Sequence, residues 1–587
     1  MRKSATALLL AASFAAAALN PSGTLPVLTI DTENGVAVPA KTQPYVSATY
    51  SLESNGFEGV EDMSGETQIR GRGNYTWSGF DKKPYRLKLT KKAKLMGMNS
   101  SKHFALLAHA DDNLGFMREP MGFWLSERLG LEWTPDMKPV EVVLNGDYIG
   151  LYFLVENIRV AKDRVNVFDQ EEEAETAGAS TDITGGWLCE IDNYEEDPSE
   201  QIKIKEGNGA DIRITHKSPE AVTPEQENWL RAQMEAIDKA FYQKDPDSKD
   251  WQTLVDLPSL ARFYVLQELM DGYESFHGSC YMYRDRGEDK KWMWGPVWDF
   301  GSTFNRMDRG ELIYENPAWG QTWIAEIVKF TDFQNAYKDI FKDFVLNDLD
   351  DLLVYLDGFA DIIDDAAKSD FARWGGKGYG TDDVTGRLST IKSYLRARID
   401  LLKKRWNIEG LPSLSSGIYL RGEHNGWGAT PEYEFLTTDV ENVYELEDVD
   451  VKDRFKIADA NWGEHNWGGE TENISMKLDT DQPMICGGKS QNINFNGHVA
   501  QAIFTVVEPG ESATIRFNST RSGLDGVADD STAFFTVSGG ALNAVGAPVS
   551  VYTPAGSAVA CDVMTADLAP GLYIVRQGAR AVKIVVR

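Results

Sequence analysis

The chain has 587 residues, of which 42% are hydrophobic and 25% charged, and a formal net charge of −31 at pH 7. Domains usually hold roughly 100–200 residues, so one ordinary core is excluded, and the normal hydrophobic content excludes wholesale disorder. The acidic balance excludes nucleic acid and simple adsorption to anionic membranes, because both would be repelled.

Met1-Arg2-Lys3 followed by the apolar run Ala5 to Ala18 has the charged start, short apolar middle and small-residue end of a secretory signal peptide. Residues 1–20 are therefore read as a signal peptide cleaved near Ala16 to Asn20. The run is shorter than the ~20 residues that a membrane-spanning helix needs, and Asn20-Pro21 ends it. Cys189, Cys280, Cys486 and Cys561 are far apart and lack the paired spacings of zinc sites. They leave room for one disulfide but read more simply as small buried residues.

Short strands and turns are predicted from about Leu25 to Lys94. They end in Lys83 to Leu89, where Tyr85, Leu87 and Leu89 alternate with Arg86 and Lys88 to give one apolar and one basic face. A helix follows around Gly115 to Leu129. Val140 to Val155 reads as a β-hairpin, because Asn145-Gly146 supplies the positive φ angles of a tight turn. Asp169 to Thr184, acidic and rich in Ala, Thr and Gly, is expected to be a mobile loop. Thr223-Pro224-Glu225-Gln226 signals a capped helix with Leu230, Met234, Ile237 and Phe241 as its buried stripe. Further helices are expected over about Ser259 to Met270 and Thr385 to Trp406. At Glu409 to Pro412 the pattern changes to short strands, which places a domain boundary there. Residues 413–520, rich in Trp, Gly and Asn, read as a β-sandwich, and 540–587 alternate as further strands.

The segment Glu268 to Thr303 concentrates the chemistry. It runs Asp271-Gly272-Tyr273-Glu274-Ser275-Phe276-His277-Gly278-Ser279-Cys280-Tyr281 and, later, Gly295-Pro296-Val297-Trp298-Asp299-Phe300-Gly301. One carboxylate at the end of a helix can take a proton while another, in a Trp/Phe setting, binds Mg²⁺. The plain reading of the same residues is solvated acids on an acidic protein. Trp292, Trp294 and Trp298 read as core. Gly71 and Gly73 fit a turn, while Arg70 and Arg72 serve either as partners of surface acids or as nucleotide contacts.

Arg70-Gly71-Arg72-Gly73-Asn74-Tyr75-Thr76-Trp77, Lys82 to Lys88, Leu106 to Arg118, Asn145 to Tyr152 and Gly295 to Phe300 occur in the order found in CotH-type (spore coat protein H) atypical protein kinases. The chain resembles that family over roughly residues 40–405. The resemblance implies an α+β atypical protein-kinase-like domain over residues 21–408, followed by all-β sandwich modules. It also implies transfer of the ATP γ-phosphoryl group to Ser or Thr of proteins, with ATP and Mg²⁺ as cofactors.

Carried onto this chain, the resemblance makes Lys83 and Arg118 phosphate holders, with Arg72 a further nucleotide contact. Glu156 would orient Lys83, Asp299 would hold Mg²⁺, and Asp271 or Glu274 would act as general base. Glu274 stands where many members have Asp, and Gly301 where many have a second carboxylate.

Gly417 to Trp427, Phe455 to Asp459 and Asn461 to Gly468 resemble the β-sandwich modules of outer-membrane starch-binding proteins. That makes Trp427, Trp462 and Trp467 candidate sugar platforms, the other reading being core packing. Val551 to Gly556, Leu568 to Val575 and Lys583 to Val586 resemble the C-terminal sorting domain read by type IX secretion. Its machinery is then a partner, and the location is the surface or exterior of a Gram-negative bacterium. The expected function is an exported kinase acting on secreted or surface proteins, with glycan as a further ligand. The alternative is a non-catalytic adhesin or glycan-binding protein on a degenerate kinase-like scaffold.

Overall fold

The structure is a computed structural model describing residues 20–177, 182–194, 201–315, 323–411, 414–437, 442–463, 465–520, 535–538, 541–545, 547–552, 558–567, 571–577 and 580–586. The predicted signal peptide lies outside the described residues, apart from Asn20.

The first unit is a closed barrel. Its strands are β1 (Val27–Thr32), β2 (Val46–Glu53), β3 (Met63–Gly71), β4 (Tyr85–Ala93), β5 (Ser101–Leu107), β6 (Met137–Leu144) and β7 (Asp147–Glu156). They follow the order β1-β2-β3-β4-β5-β7-β6, and a parallel β1–β6 pair closes the ring, so no edge stays unpaired. The period-2 pattern of β4 explains its placement. Tyr85, Leu87 and Leu89 are buried, while Arg86 and Lys88 point outward. The β6–β7 hairpin turns through Asn145 and Gly146 at φ 51° and 77°, the geometry that only such residues adopt cheaply. Two short helices decorate the barrel, α1 (Tyr75–Gly79) and α2 (Arg118–Arg128).

After the barrel come α3 (Gln170–Ala177), β8 (Trp187–Ile191), β9 (Gln201–Lys205), β10 (Asp211–Ser218), α4 (Pro224–Phe241), α5 (Leu257–Leu269), β11 (Cys280–Arg284) and β12 (Met293–Trp294). The strands form one antiparallel sheet in the order β12-β11-β8-β10-β9. The predicted capping box is present: Thr223 Oγ1 accepts from Gln226 N–H, and Gln226 Oε1 accepts from the Thr223 backbone N–H. The expected loop at 169–184 is instead helical over Gln170–Ala177. Glu171, Glu172 and Glu173 occupy its first turn, where the helix dipole favours negative charge. Residues 178–181 of that expected loop lie outside the described residues.

Four helices complete this region: α6 (Ile324–Ile327), α7 (Thr331–Asn347), α8 (Leu349–Trp374) and α9 (Val384–Arg405). α8 packs on the barrel, and a buried ion pair fixes the contact. Lys82 Nζ lies 2.6 Å from Asp370 and donates to Leu151 O at 2.8 Å, while Asp370 accepts from Leu151 N–H at 2.8 Å. α9 fixes the end of α5 through Arg398, which pairs with Glu268, lies 3.2 Å from Asp271 and donates to the Glu311 carbonyl at 2.6 Å.

The opposite side of α9 meets a ten-stranded sheet built from residues 415–518. Ser389 Oγ donates to Glu447 O at 2.9 Å, and Tyr394 O–H donates to Glu432 at 3.0 Å. Phe435, Phe455, Ile457, Trp467, Phe504 and Phe517 fill its core. Beyond it stand a three-stranded and a four-stranded sheet between residues 535 and 586. The protein is thus multidomain, with a mixed α/β region followed by strand-rich modules. The thiols of Cys189 and Cys280 are free and buried on neighbouring strands.

Lys82 and Asp370 are 1% and 0% exposed, so removing one partner strands a charge. Asp370→Ala is expected to cost about 3–5 kcal/mol in denaturant unfolding of this region. The neutral pair Lys82→Met with Asp370→Asn should recover more than half of that loss.

Candidate active site

A cleft of about 880 Å³ opens between the outer face of the barrel and the five-stranded sheet. Arg70, Arg72, Arg86, Lys88, Arg159 and Lys217 line it. Register explains the convergence. Arg70 faces Arg86 across the β3–β4 pair, Arg72 follows the end of β3, and Lys88 sits two residues beyond Arg86 on the same face.

Lys217 pairs with Glu190 at 2.8 Å, but the other five form no ion pair among the described residues. The expected pairing of Arg70 and Arg72 with surface acids is therefore absent. Arg70 stacks on Tyr45 at 4.3 Å and Arg72 on Trp298 at 5.3 Å, and the buried Arg70 Nε has no hydrogen-bond partner. Trp298 accordingly lines the cleft, whereas Trp292 and Trp294 are core.

Asp299 stands beside Arg72 with its carboxylate open to solvent. Its backbone is in the left-handed region at φ 65°, a conformation costing of order 1–3 kcal/mol for a residue with a side chain. Asp271, Ser279, Phe304 and His109 share that conformation nearby. Ser279 Oγ approaches Asp299 at 3.5 Å, and the Gly301 N–H also bonds its carboxylate. The surrounding protein raises the Asp299 pKa, and the Arg72 charge opposes that shift.

The glycine at 301 turns out to have a spatial substitute. A Cβ built on Gly301 would lie 3.1 Å from Asp111 Oδ2 and 3.7 Å from Asp299 Oδ1. The Asp111 carboxylate, from the β5–α2 connection, thus occupies the space toward which a residue-301 side chain would reach. Burial and the Asp299 charge push Asp111 up to about 6. Burial and Asp299 likewise push Glu119 up to about 8, and its carboxylate accepts the Phe300 N–H at 3.1 Å, which anchors the Asp299 segment. Arg118, 1% exposed, donates to Asn113 at 3.0 Å and Asn305 at 2.8 Å and lies 3.5 Å from Asp112. It braces the same segment from below.

The other expected residues separate. Glu274 is half-buried next to Asp299, accepting from Tyr194 O–H at 3.3 Å and from Ser302; burial raises its pKa, and Asp299 adds to that. Asp271 is 4% exposed and engaged by Arg398. Lys83 donates to Trp77 O at 2.5 Å and is absent from the cleft lining. Glu156 is buried 3.8 Å from Arg164 rather than on Lys83. Asp111 and Arg159 escaped the sequence reading, since neither carries a local signal beyond its charge.

In the ten-stranded sheet, Trp467 is 0% exposed and packs on Phe504, so it cannot serve as a sugar platform. Trp427 and Trp462 are half-buried with ring centroids 6.0 Å apart, and Arg421 lies 4.1 Å from the Trp462 ring.

The family model for CotH kinase protein matches residues 69–402. The chain belongs to the CotH kinase family. No curated protein matches the chain. The matched region spans β3 to α9 and so includes most of the cleft and every carboxylate around Asp299. ATP and a divalent metal are the cofactors suggested by this membership.

The residues fit both. Unpaired guanidinium groups suit phosphate oxygens. Among the described residues no three His, Cys, Asp or Glu side chains gather as a metal cluster. Asp299 and Asp111 supply two carboxylates, the number Mg²⁺ commonly takes when phosphates and water complete its shell.

His109 supplies a pH test of this electrostatic setting. Burial, then Lys82, Arg72 and Arg118, push its imidazole down to about 3. Below its usual pKa near 6.5 the unfolded chain takes a proton that the folded one refuses, so stability falls as pH drops from 6.5 toward 3. His109→Gln should reduce that acid-side slope by about 1.4 kcal/mol per pH unit, measured by urea unfolding between pH 6.5 and 5.

Proposed function

We propose that the protein is an exported kinase that transfers the ATP γ-phosphoryl group to Ser or Thr of extracytoplasmic proteins. The observation that carries this reading is Arg72, which forms no ion pair among the described residues, beside the Asp299–Asp111 pair, in a chain of the CotH kinase family.

Arg72 faces the donor phosphates and compensates charge that spreads over their oxygens in transfer. Asp299 and Asp111 hold Mg²⁺, which supplies electrostatic stabilisation of the transferring group when bound. Glu274 accepts the proton of the acceptor hydroxyl as that oxygen bonds to phosphorus, and the bond to the ADP oxygen breaks. Its raised pKa suits a proton acceptor better than an ordinary glutamate, and Asp271 is left to hold the helix end through Arg398. Arg118 positions the Asp299 segment rather than touching phosphate.

The signal-peptide pattern and the sorting-domain resemblance support delivery to the exterior of a Gram-negative bacterium through type IX secretion. A second role rests on the paired Trp427 and Trp462 with Arg421 beside them. Two half-buried rings tilted 41° to each other, on loops that Arg421 ties together through the Trp427, Asp459 and Ala460 carbonyls, fit glycan binding by ring contact, which would tether the kinase or, alone, make the protein an adhesin.

The test is Mg²⁺-dependent labelling of protein Ser/Thr by radiolabelled ATP, using the purified mature chain. Asp299→Ala and Arg72→Ala should each lower transfer by about 10²–10³ with folding intact by circular dichroism, while Lys83→Ala stays within about threefold of wild type. Wild-type protein that neither binds ATP nor labels any acceptor with Mg²⁺ or Mn²⁺ would overturn the kinase reading and leave glycan binding.

A further inference from the structure

The cleft carries more cations than one end of it can use. Seven Lys and Arg side chains line it, against the two glutamates Glu171 and Glu220. At one end Arg72 adjoins Asp299. At the other, Arg86, Lys88 and Arg159 converge on His103, which burial and these three charges, with Arg164, push down to about 3. Of these, Arg164 is spent on the carbonyls of Asn157 and His103, whereas Arg86, Lys88 and Arg159 have no carboxylate partner among the described residues.

Strand geometry sets the scale. The Arg72 N–H bonds to Pro84 O, and from Pro84 to Lys88 is four residues, or roughly 13 Å at a rise of ~3.3 Å. A nucleoside triphosphate with its γ-phosphate at Asp299 concentrates its charge at the Arg72 end. A neutral base at the far end would leave the field of these cations unused, since Glu171 near Arg159 offsets a single charge. The volume, near the upper end of the usual ligand-pocket range of roughly 300–1,000 Å³, leaves room for a second ligand segment.

We infer that the far end of the cleft, Lys88 and Arg159, with Arg86 between them and Arg72, binds an acidic segment of the acceptor protein flanking its Ser or Thr. This rests on the kinase reading for the word acceptor, but the binding itself does not require catalysis. In a chain of net charge −31 this cleft is a local reversal of sign, so it attracts an acidic peptide that the remaining surface repels. Selectivity follows from the same charges, because a basic peptide would meet an excess of like charge.

The test uses the full mature chain without nucleotide and two fluorescent Ser-containing peptides, one flanked by Asp and Glu, the other by Ala and Gly. Anisotropy at low salt should show the acidic peptide bound at least tenfold more tightly. Lys88→Ala with Arg159→Ala, both exposed side chains, should abolish that preference while Mg-ATP affinity changes less than twofold. Equal binding of the two peptides by wild type overturns the inference. So does a double variant that weakens Mg-ATP tenfold and leaves peptide binding intact, which assigns the far end to the donor. Peptide selectivity without ATP binding would sink the kinase reading and leave the site standing.

Discussion

Cations held without carboxylate partners, in a chain with 90 acidic and 59 basic residues, are the constraint on which the site depends. Left to a flexible surface, Arg70, Arg72, Arg86 and Lys88 would find acids. Among the described residues they do not, because the β3–β4 register fixes them on the outer face of a closed barrel, where Arg70 stacks on Tyr45 and Arg72 on Trp298. Stacking satisfies the flat face of a guanidinium and leaves its N–H edge for an anion. The barrel supplies the stiffness, and the Lys82–Asp370 pair ties that barrel to α8 of the helical region.

The carboxylate side is built by a different device. Asp299 sits on a segment whose backbone conformation is unfavourable for a residue with a side chain, so neighbours must hold it: Glu119 on the Phe300 N–H, Arg118 on Asn305, and Phe304 against Tyr394 at 6.3 Å. Tyr394 belongs to α9, whose Arg398 also engages Glu268 and Asp271. One helix therefore supports the Asp299 segment and the end of α5, and its outer side carries the strand-rich module. The Asp299 charge raises the Asp111 pKa, a cost that a bound cation would relieve.

Periodic features were legible in the sequence. The apolar and basic faces of β4, the Asn145-Gly146 turn, the Thr223 capping box and α9 all follow from spacing that local physics enforces. The acidic stretch at 169–184 was misread because its composition suggests a loop, while three glutamates in a first turn also suit a helix start. Site residues were less legible. Gly301 read as a lost carboxylate, yet Asp111, 190 positions earlier, fills the space; no local pattern reports such a substitution. Lys83 and Lys82 are adjacent lysines, and only packing shows that one binds the Trp77 carbonyl and the other is buried on Asp370. Trp467 and Trp427 share a composition-level signal, but their exposure is set by the tertiary core.

The most direct measurement is a crystal structure of the mature chain with a non-hydrolysable ATP analogue and Mn²⁺, using the anomalous signal of the metal. The account predicts one Mn²⁺ between Asp299 and Asp111, with phosphate oxygens on Arg72. Nucleotide and metal bound elsewhere, or Mn²⁺ held without either carboxylate, would contradict it.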